Sequence, residues 1–191
     1  MPTALLMIDI QMDYFLGGSM PLADPDAAAG EAKRLLDAFR AHQWPVIFLK
    51  HISDRPGATF FLPDTHGIEI HPLVAPSSEE TVLVKHFPNS FRATELQDVL
   101  QRHKVDSLVI AGMMTHMCVD ATTRQAVDLG YTCQVASDAT ATRDLRFAGN
   151  EVLATDVQTS FLAALNGTYA KVHSSTSVLA SLFSEPAPPA D

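Results

Sequence analysis

Three residue types that together can cleave an acyl bond stand far apart in this chain: an acid at Asp9, an amine at Lys85 and a thiol at Cys118. Asp9 ends the run Thr3-Ala-Leu-Leu-Met-Ile-Asp9, and Lys85 ends Thr81-Val-Leu-Val-Lys85. Cys118 follows Ser107-Leu-Val-Ile-Ala111-Gly112 within about two turns of chain. Short apolar runs of this kind are the mark of buried parallel strands, and open α/β sheets bind ligands at the carboxyl ends of their strands. There an acid can take the thiol proton and later return it to a leaving amine, while a cation favours both anions. A cysteine just inside a helix also has its thiolate favoured by unpaired N–H groups and the helix dipole. Each residue has a plainer reading on its own. Asp9 can close a strand, Lys85 can be a solvated strand-end lysine, and Cys118 can be a small buried hydrophobe. The signal is the coincidence of the three.

The elements that must position them alternate. Strands are expected at 3–10, 45–50, 81–85, 107–111, 131–136 and 168–172. Helices are expected at 24–42, 93–103, 115–129 and 144–165, with a final turn or helix at 177–183. Ala28, Ala32, Leu35, Leu36 and Phe39 form the apolar stripe of the first helix. Thr115 is read as the N-cap of the cysteine helix, Cys118, Thr122, Ala126 and Leu129 as its inward face, and Gly130 as its stop. Ser137, Asp138, Ala139 and Thr140 read as a turn, with Asp138 a turn or capping residue. Such alternation requires right-handed crossovers and a mainly parallel sheet, so the expectation is a single doubly wound α/β domain over 1–184 with helices on both faces. A Pro/Ala-rich flexible tail is expected at 185–191. The stretch 51–80 holds four prolines and three histidines, and loops this long usually cover a site.

Composition narrows the function classes. A net charge of −9 with no basic block argues against nucleic-acid and anionic-membrane partners. No apolar run is long enough to span a bilayer, and the short run at 4–8 lacks the flanks of a signal peptide, so a cytoplasmic location is expected. In that compartment the two cysteines, Cys118 and Cys133, stay unpaired.

The motifs carry a resemblance. Asp9-Ile-Gln11-Met-Asp13-Tyr14, Lys85-His-Phe-Pro-Asn-Ser90-Phe91, Gly112-Met-Met-Thr115-His-Met-Cys118-Val119 and Ser137-Asp138-Ala139 together resemble the isochorismatase-like cysteine hydrolases, in the family's order, from about Thr3 to Val172. That family includes nicotinamidases and N-carbamoylsarcosine amidohydrolases. The resemblance implies a six-stranded sheet in the order 3-2-1-4-5-6 and a catalytic triad of Cys118, Asp9 and Lys85. It implies a cis peptide between Met113 and Met114, and an oxyanion hole from the N–H groups of Met114 and Cys118. The substrate is then a small amide or ureido compound, with no cofactor, and a homodimer or homotetramer is expected from the family's habit. Gln11, Tyr14, Phe87, Met114 and Met117 stand beside the motif residues and are candidates for the pocket wall.

Nicotinamidases of the family carry an Asp-x-His metal pair after the second strand, where this chain reads Lys50-His51-Ile52-Ser53. No metal is therefore expected, although His51, His66 and His71 remain imidazoles in one loop. A dinucleotide enzyme is disfavoured because the first strand is followed by Gln11-Met-Asp-Tyr14 rather than a glycine-rich turn. A redox thiol protein lacks a Cys-x-x-Cys motif here, with Cys133 placed mid-strand. A silent binding module, or an isochorismatase-type hydrolase without a covalent intermediate, stays open beside the amidohydrolase. The presence of Cys118 weighs against the last, since vinyl-ether hydrolysis needs no thiol nucleophile.

Overall fold

The computed structural model describes residues 2–183. The tail expected at 185–191 lies outside the described residues. Six parallel strands form the sheet: β1 (Thr3–Ile8), β2 (Val46–His51), β3 (Thr81–Lys85), β4 (Ser107–Met113), β5 (Thr132–Ala141) and, after a hairpin, β8 (Lys171–His173). Their spatial order is β3-β2-β1-β4-β5-β8, the expected order with the sixth strand renumbered for the hairpin. The helices are α1 (Pro25–Ala41), α2 (Leu96–Arg102), α3 (Asp120–Asp128), α4 (Ala154–Leu165) and α5 (Ser175–Phe183).

Every residue of β1 is buried, because this central strand is covered on both faces. Leu5 and Met7 face α1, where Ala28, Ala32, Leu35, Leu36 and Phe39 pack with Val178 of α5. Ala4, Leu6 and Ile8 face the other way, onto Leu96, Val99 and Leu100 of α2, Ala126 of α3 and Leu165 of α4. The amphipathic stripe read from the sequence is thus the buried face of α1. β3 is an edge strand, and its Val82 and Val84 are exposed while Lys85 is buried. Among the described residues no helix is long and apolar enough to cross a membrane.

Register sets the site. β1 runs beside both β2 and β4, with Ile8 opposite Leu49 and Gly112. β2 pairs with β3 so that His51 stands opposite Lys85. The carboxyl ends of four neighbouring strands therefore finish at one level, with Asp9, His51, Lys85 and the segment after Met113 gathered there.

Several local expectations give way to tertiary structure. The turn read at 137–140 is absorbed into β5, which continues to Ala141 across an irregularity: Ile110 pairs with Val135, but Gly112 pairs with Thr140. Asp138, inside that irregularity, accepts from the Ser175 N–H at 2.7 Å and so caps α5. The helix expected over 144–165 begins only at Ala154, preceded by a hairpin of β6 (Leu145–Phe147) and β7 (Asn150–Val152). Ala148 and Gly149 both have positive φ, as a two-residue hairpin turn requires. Asp144 still serves the helix, since its carboxylate accepts from the Ala154 N–H at 2.7 Å. The helix expected at 93–103 shrinks to α2 because Ala93 sits at φ 55°. Thr115 is no N-cap: it lies inside a turn of π-helix, Thr115–Val119, and its hydroxyl donates to the Ala141 carbonyl at 3.1 Å. Leu129, read as inward, is partly exposed, while Gly130 has the left-handed φ of a helix stop.

Among the glycines, Gly112 leaves the least room for a side chain. Its φ is 135°, and a Cβ there would lie 2.0 Å from the Ile8 carbonyl oxygen, a backbone atom that cannot move without shifting β1. Gly112→Ala should therefore cost at least about 2 kcal/mol and lower the melting temperature by about 5 °C or more. A melt within a degree of wild type would show that the two strands are not held in this contact.

Candidate active site

β1 ends at Ile8, and Asp9 turns out of the strand at φ 50°, held by its N–H to the Leu49 carbonyl at 3.0 Å. Asp has a short side chain that tolerates this left-handed conformation better than most. The Lys85 ammonium lies 2.7 Å from Asp9 Oδ2, and both side chains are fully buried. The same Nζ is 3.3 Å from Cys118 Sγ, 3.1 Å from His51 Nδ1 and 3.2 Å from the Phe87 carbonyl. Cys118 comes from the π-helical turn that links β4 to α3, an irregularity frequent at functional sites. The Met113–Met114 peptide just before that turn is cis. Acid, amine and thiol, spread along the sequence, therefore meet in one buried cluster.

Burial governs the charges. It pushes the Asp9 carboxyl above the ordinary range, against the opposing pull of Lys85. Burial alone would lower Lys85, but Asp9 and Cys118 outweigh it and hold the ammonium above its usual value. Burial and the Asp9 charge push the Cys118 thiol up, and Lys85 only partly offsets them. The geometry is that of an Asp9–Lys85 ion pair, and the rise at Cys118 favours a protonated thiol beside it. The helix start that the sequence reading took to favour the thiolate is opposed here by burial, at a position with 4% exposure. Beyond the ion pair, the Asp9 carboxylate interacts with the Cys118 thiol itself, the group whose proton it would receive.

Beside Cys118 lies a cavity of about 210 Å³. Tyr14, Phe60, Phe61, Phe87, Met114 and Met117 make its apolar wall, while Ser53, Asp54, Arg55 and His86 add polar groups. Tyr14, Phe87, Met114 and Met117 were legible as wall candidates from their motif positions. Phe60, Phe61 and the 53–55 segment were not; the only cue was the length of the loop that carries them. Gln11 is not on this wall. Its side chain is fully buried, accepting from the His51 N–H at 2.7 Å and donating to the carbonyls of His51 and Ile68 at 2.9 Å each. It clamps the end of β2 to the long loop. Asp13 ties the first loop to the long one, accepting from the N–H groups of Ser19 at 3.0 Å and Phe61 at 2.6 Å. Tyr14, 1% exposed, keeps its phenol protonated because burial lifts it far above the usual value.

The three loop histidines do not converge. His71 stacks on Phe15, with ring centroids 4.1 Å apart, and His66 lies in a separate hollow near Gly17 and Gly18. The donor atoms of Asp9, His51 and Cys118 do lie within 4.8 Å of one another, close enough to share a cation. That cation is already present as the Lys85 ammonium, 2.7 to 3.3 Å from each of them. A metal ion would have to displace a buried lysine from its own ion pair, so these residues do not fit one.

The sequence profile of the isochorismatase domain matches residues 3–160. An uncharacterized isochorismatase family protein of Bacillus subtilis (strain 168) is 50% identical over 179 residues, covering 94% of this chain and 99% of that one. A solved isochorismatase from Pseudomonas putida KT2440 superposes with a TM-score of 0.86 at 33% identity, over 92% of this chain and 89% of that one. N-carbamoylsarcosine amidase from Thermoplasma acidophilum superposes with a TM-score of 0.74 at 26% identity, over 92% and 97% of the two chains.

Two expectations follow from the geometry. Because the resting thiol is protonated, alkylation of Cys118 by iodoacetamide should be slow at pH 7 and climb only above the ordinary cysteine value of about 8.5. Lys85→Met should slow it further, and a rate already at its plateau at pH 7 would mean a resting thiolate instead. Because Lys85 occupies the cation position, hydrolytic activity should survive EDTA unchanged. Loss of activity on chelation, with recovery on adding zinc or iron, would refute that.

Proposed function

The chain belongs to the isochorismatase family of hydrolases, and from that premise we propose that it cleaves a C–N bond of a small amide or ureido compound, with Cys118 as nucleophile. One observation carries the reading: a buried acid, ammonium and thiol meet within hydrogen-bonding range at the edge of a largely apolar cavity. The amidase among its structural relatives supports the ureido class in particular.

The steps follow from the resting charges. Asp9 takes the proton of Cys118, and Lys85, placed between them, stabilises the charge as it moves from carboxylate to sulfur. The thiolate forms a bond to the carbonyl carbon, and the carbonyl electron pair moves onto oxygen. The N–H groups of Met114 and Cys118 are the donors proposed to hold that oxyanion. The C–N bond then breaks as Asp9 returns its proton to the leaving nitrogen, releasing ammonia or an amine. A thioester remains, or a thiocarbamate from a ureido substrate. Water adds to it, giving a proton to Asp9, and the C–S bond breaks as the sulfur regains that proton. The cavity of about 210 Å³ suits a substrate on the order of ten to fifteen heavy atoms. Its aromatic and methionine wall favours an apolar body, while Arg55 and His86 offer polar contacts. A homo-oligomer is proposed on the family's habit alone.

A second reading has an observation behind it. Burial raises the Asp9 carboxyl towards its protonated form, and a structural relative is an isochorismatase, so in this reading Asp9 starts protonated and gives its proton to a vinyl ether with no covalent intermediate. The test separates the two. Small amides, ureido acids and nicotinamide are screened for ammonia release, and the best substrate is followed by intact mass spectrometry. Cys118→Ser and Asp9→Asn should each lower turnover at least about a thousand-fold, since residues acting as a unit lose function together. An acyl adduct should map to Cys118 in the wild type and be absent from Asp9→Asn. Undiminished hydrolysis by Cys118→Ala would end the covalent scheme and leave the acid mechanism.

A further inference from the structure

Lys85 has three N–H donors and four acceptors within range: Asp9 Oδ2 at 2.7 Å, His51 Nδ1 at 3.1 Å, the Phe87 carbonyl at 3.2 Å and Cys118 Sγ at 3.3 Å. Two of these acceptors, Asp9 and Cys118, exchange a proton in the mechanism above. The other two, His51 and Phe87, do not change charge. We propose that His51 is a positioning residue, which with the Phe87 carbonyl anchors the Lys85 ammonium midway between Asp9 and Cys118 while negative charge passes from one to the other.

The donor count supports this division. With Asp9 ionised and Cys118 protonated, the three N–H groups serve Asp9, His51 and Phe87. Once the proton has moved, they serve Cys118, His51 and Phe87. One N–H swings across while two stay fixed, so the ammonium need not travel. Without the His51 anchor, nothing on that side opposes the pull of Asp9, the shortest of the four contacts, so the ammonium shifts towards the carboxylate and away from the sulfur, the longest.

His51 is built to hold still. Gln11 fixes its backbone on both sides, through its N–H and its carbonyl. It also stands directly across from Lys85 in the β2–β3 register. Burial, Lys85, His86 and Arg55 push its imidazolium down to about 3, so it stays a neutral acceptor. With Nδ1 accepting from Lys85, the ring proton belongs on Nε2. The titratable groups facing Lys85 are Asp9, His51 and Cys118, with Tyr14 beyond the sulfur and His86 and Arg55 beyond the imidazole.

The inference rests on the hydrolytic reading, but its test needs no substrate. Iodoacetamide alkylation of Cys118 is followed against pH in wild type, His51→Leu, His51→Ala and His51→Asn, with the adduct mapped by mass spectrometry. Leu and Ala lack the acceptor, so the alkylation midpoint should rise by about one pH unit, a tenfold loss of rate at fixed pH. Asn can place its Oδ1 where the imidazole Nδ1 was and should return the midpoint to near the wild-type value. Thermal melts establish which variants are folded, and if Leu is not, Ala and Asn decide. Unchanged midpoints in folded Leu and Ala would overturn the proposal, as would an Asn variant displaced as far as Ala. A chain that hydrolyses nothing but shows this alkylation pattern would keep the anchor and lose only the hydrolase.

Discussion

The structure depends on one buried ion pair. Asp9 and Lys85 are both sealed from solvent, and each of those charges alone would be costly to bury by several kcal/mol. Together they are tolerated because an ammonium 2.7 Å from a carboxylate neutralises it, and His51 and Phe87 accept the remaining N–H bonds. The pair joins the ends of β1 and β3, which the register through β2 brings to the same level. It also fixes what Cys118 can be. Burial beside that pair pushes the thiol towards its protonated form, so in the proposed scheme its reactivity comes from a proton transfer to Asp9.

The supports for this pair are polar side chains sunk in the core rather than further charges. Gln11 and Asp13 have little or no exposure, yet their acceptors and donors are all spent on backbone groups of other segments. Buried polar groups persist when satisfied in this way, and a satisfied network fixes one geometry. Through these bonds the start of the first loop holds the end of β2 and the long segment after it. The cavity wall formed by Phe60 and Phe61 is therefore tied directly to the strand that carries Asp9.

The scaffold and the wall come from different parts of the chain. The chemistry-bearing residues sit at strand ends and on one π-helical turn, where packing on both faces of the sheet leaves little freedom. The wall comes partly from the motif residues Tyr14, Phe87, Met114 and Met117 and partly from the 53–61 segment, which has no regular structure of its own. Within a shared fold, such a segment is the part that can change the substrate without disturbing the ion pair.

The sequence alone determined the strand and helix alternation, the buried stripe of α1 and the placing of Asp9, Lys85 and Cys118 at or just past strand ends, because periodicity and strand-end position are local properties. It also marked Tyr14, Phe87, Met114 and Met117 through their neighbours in the motifs. It misread places where a local preference met a distant partner. Thr115 has the chemistry of a cap but bonds Ala141 instead, and the Ser137–Asp138 turn is drawn into β5, where Asp138 caps a helix more than thirty residues away. Gln11 looked like a pocket residue, yet its partners are His51 and Ile68, which no spacing rule connects to it. The role of His51 and the protonation of Cys118 belong to the same class. Both depend on how much water and which charges surround a side chain, and only the packed sheet decides that.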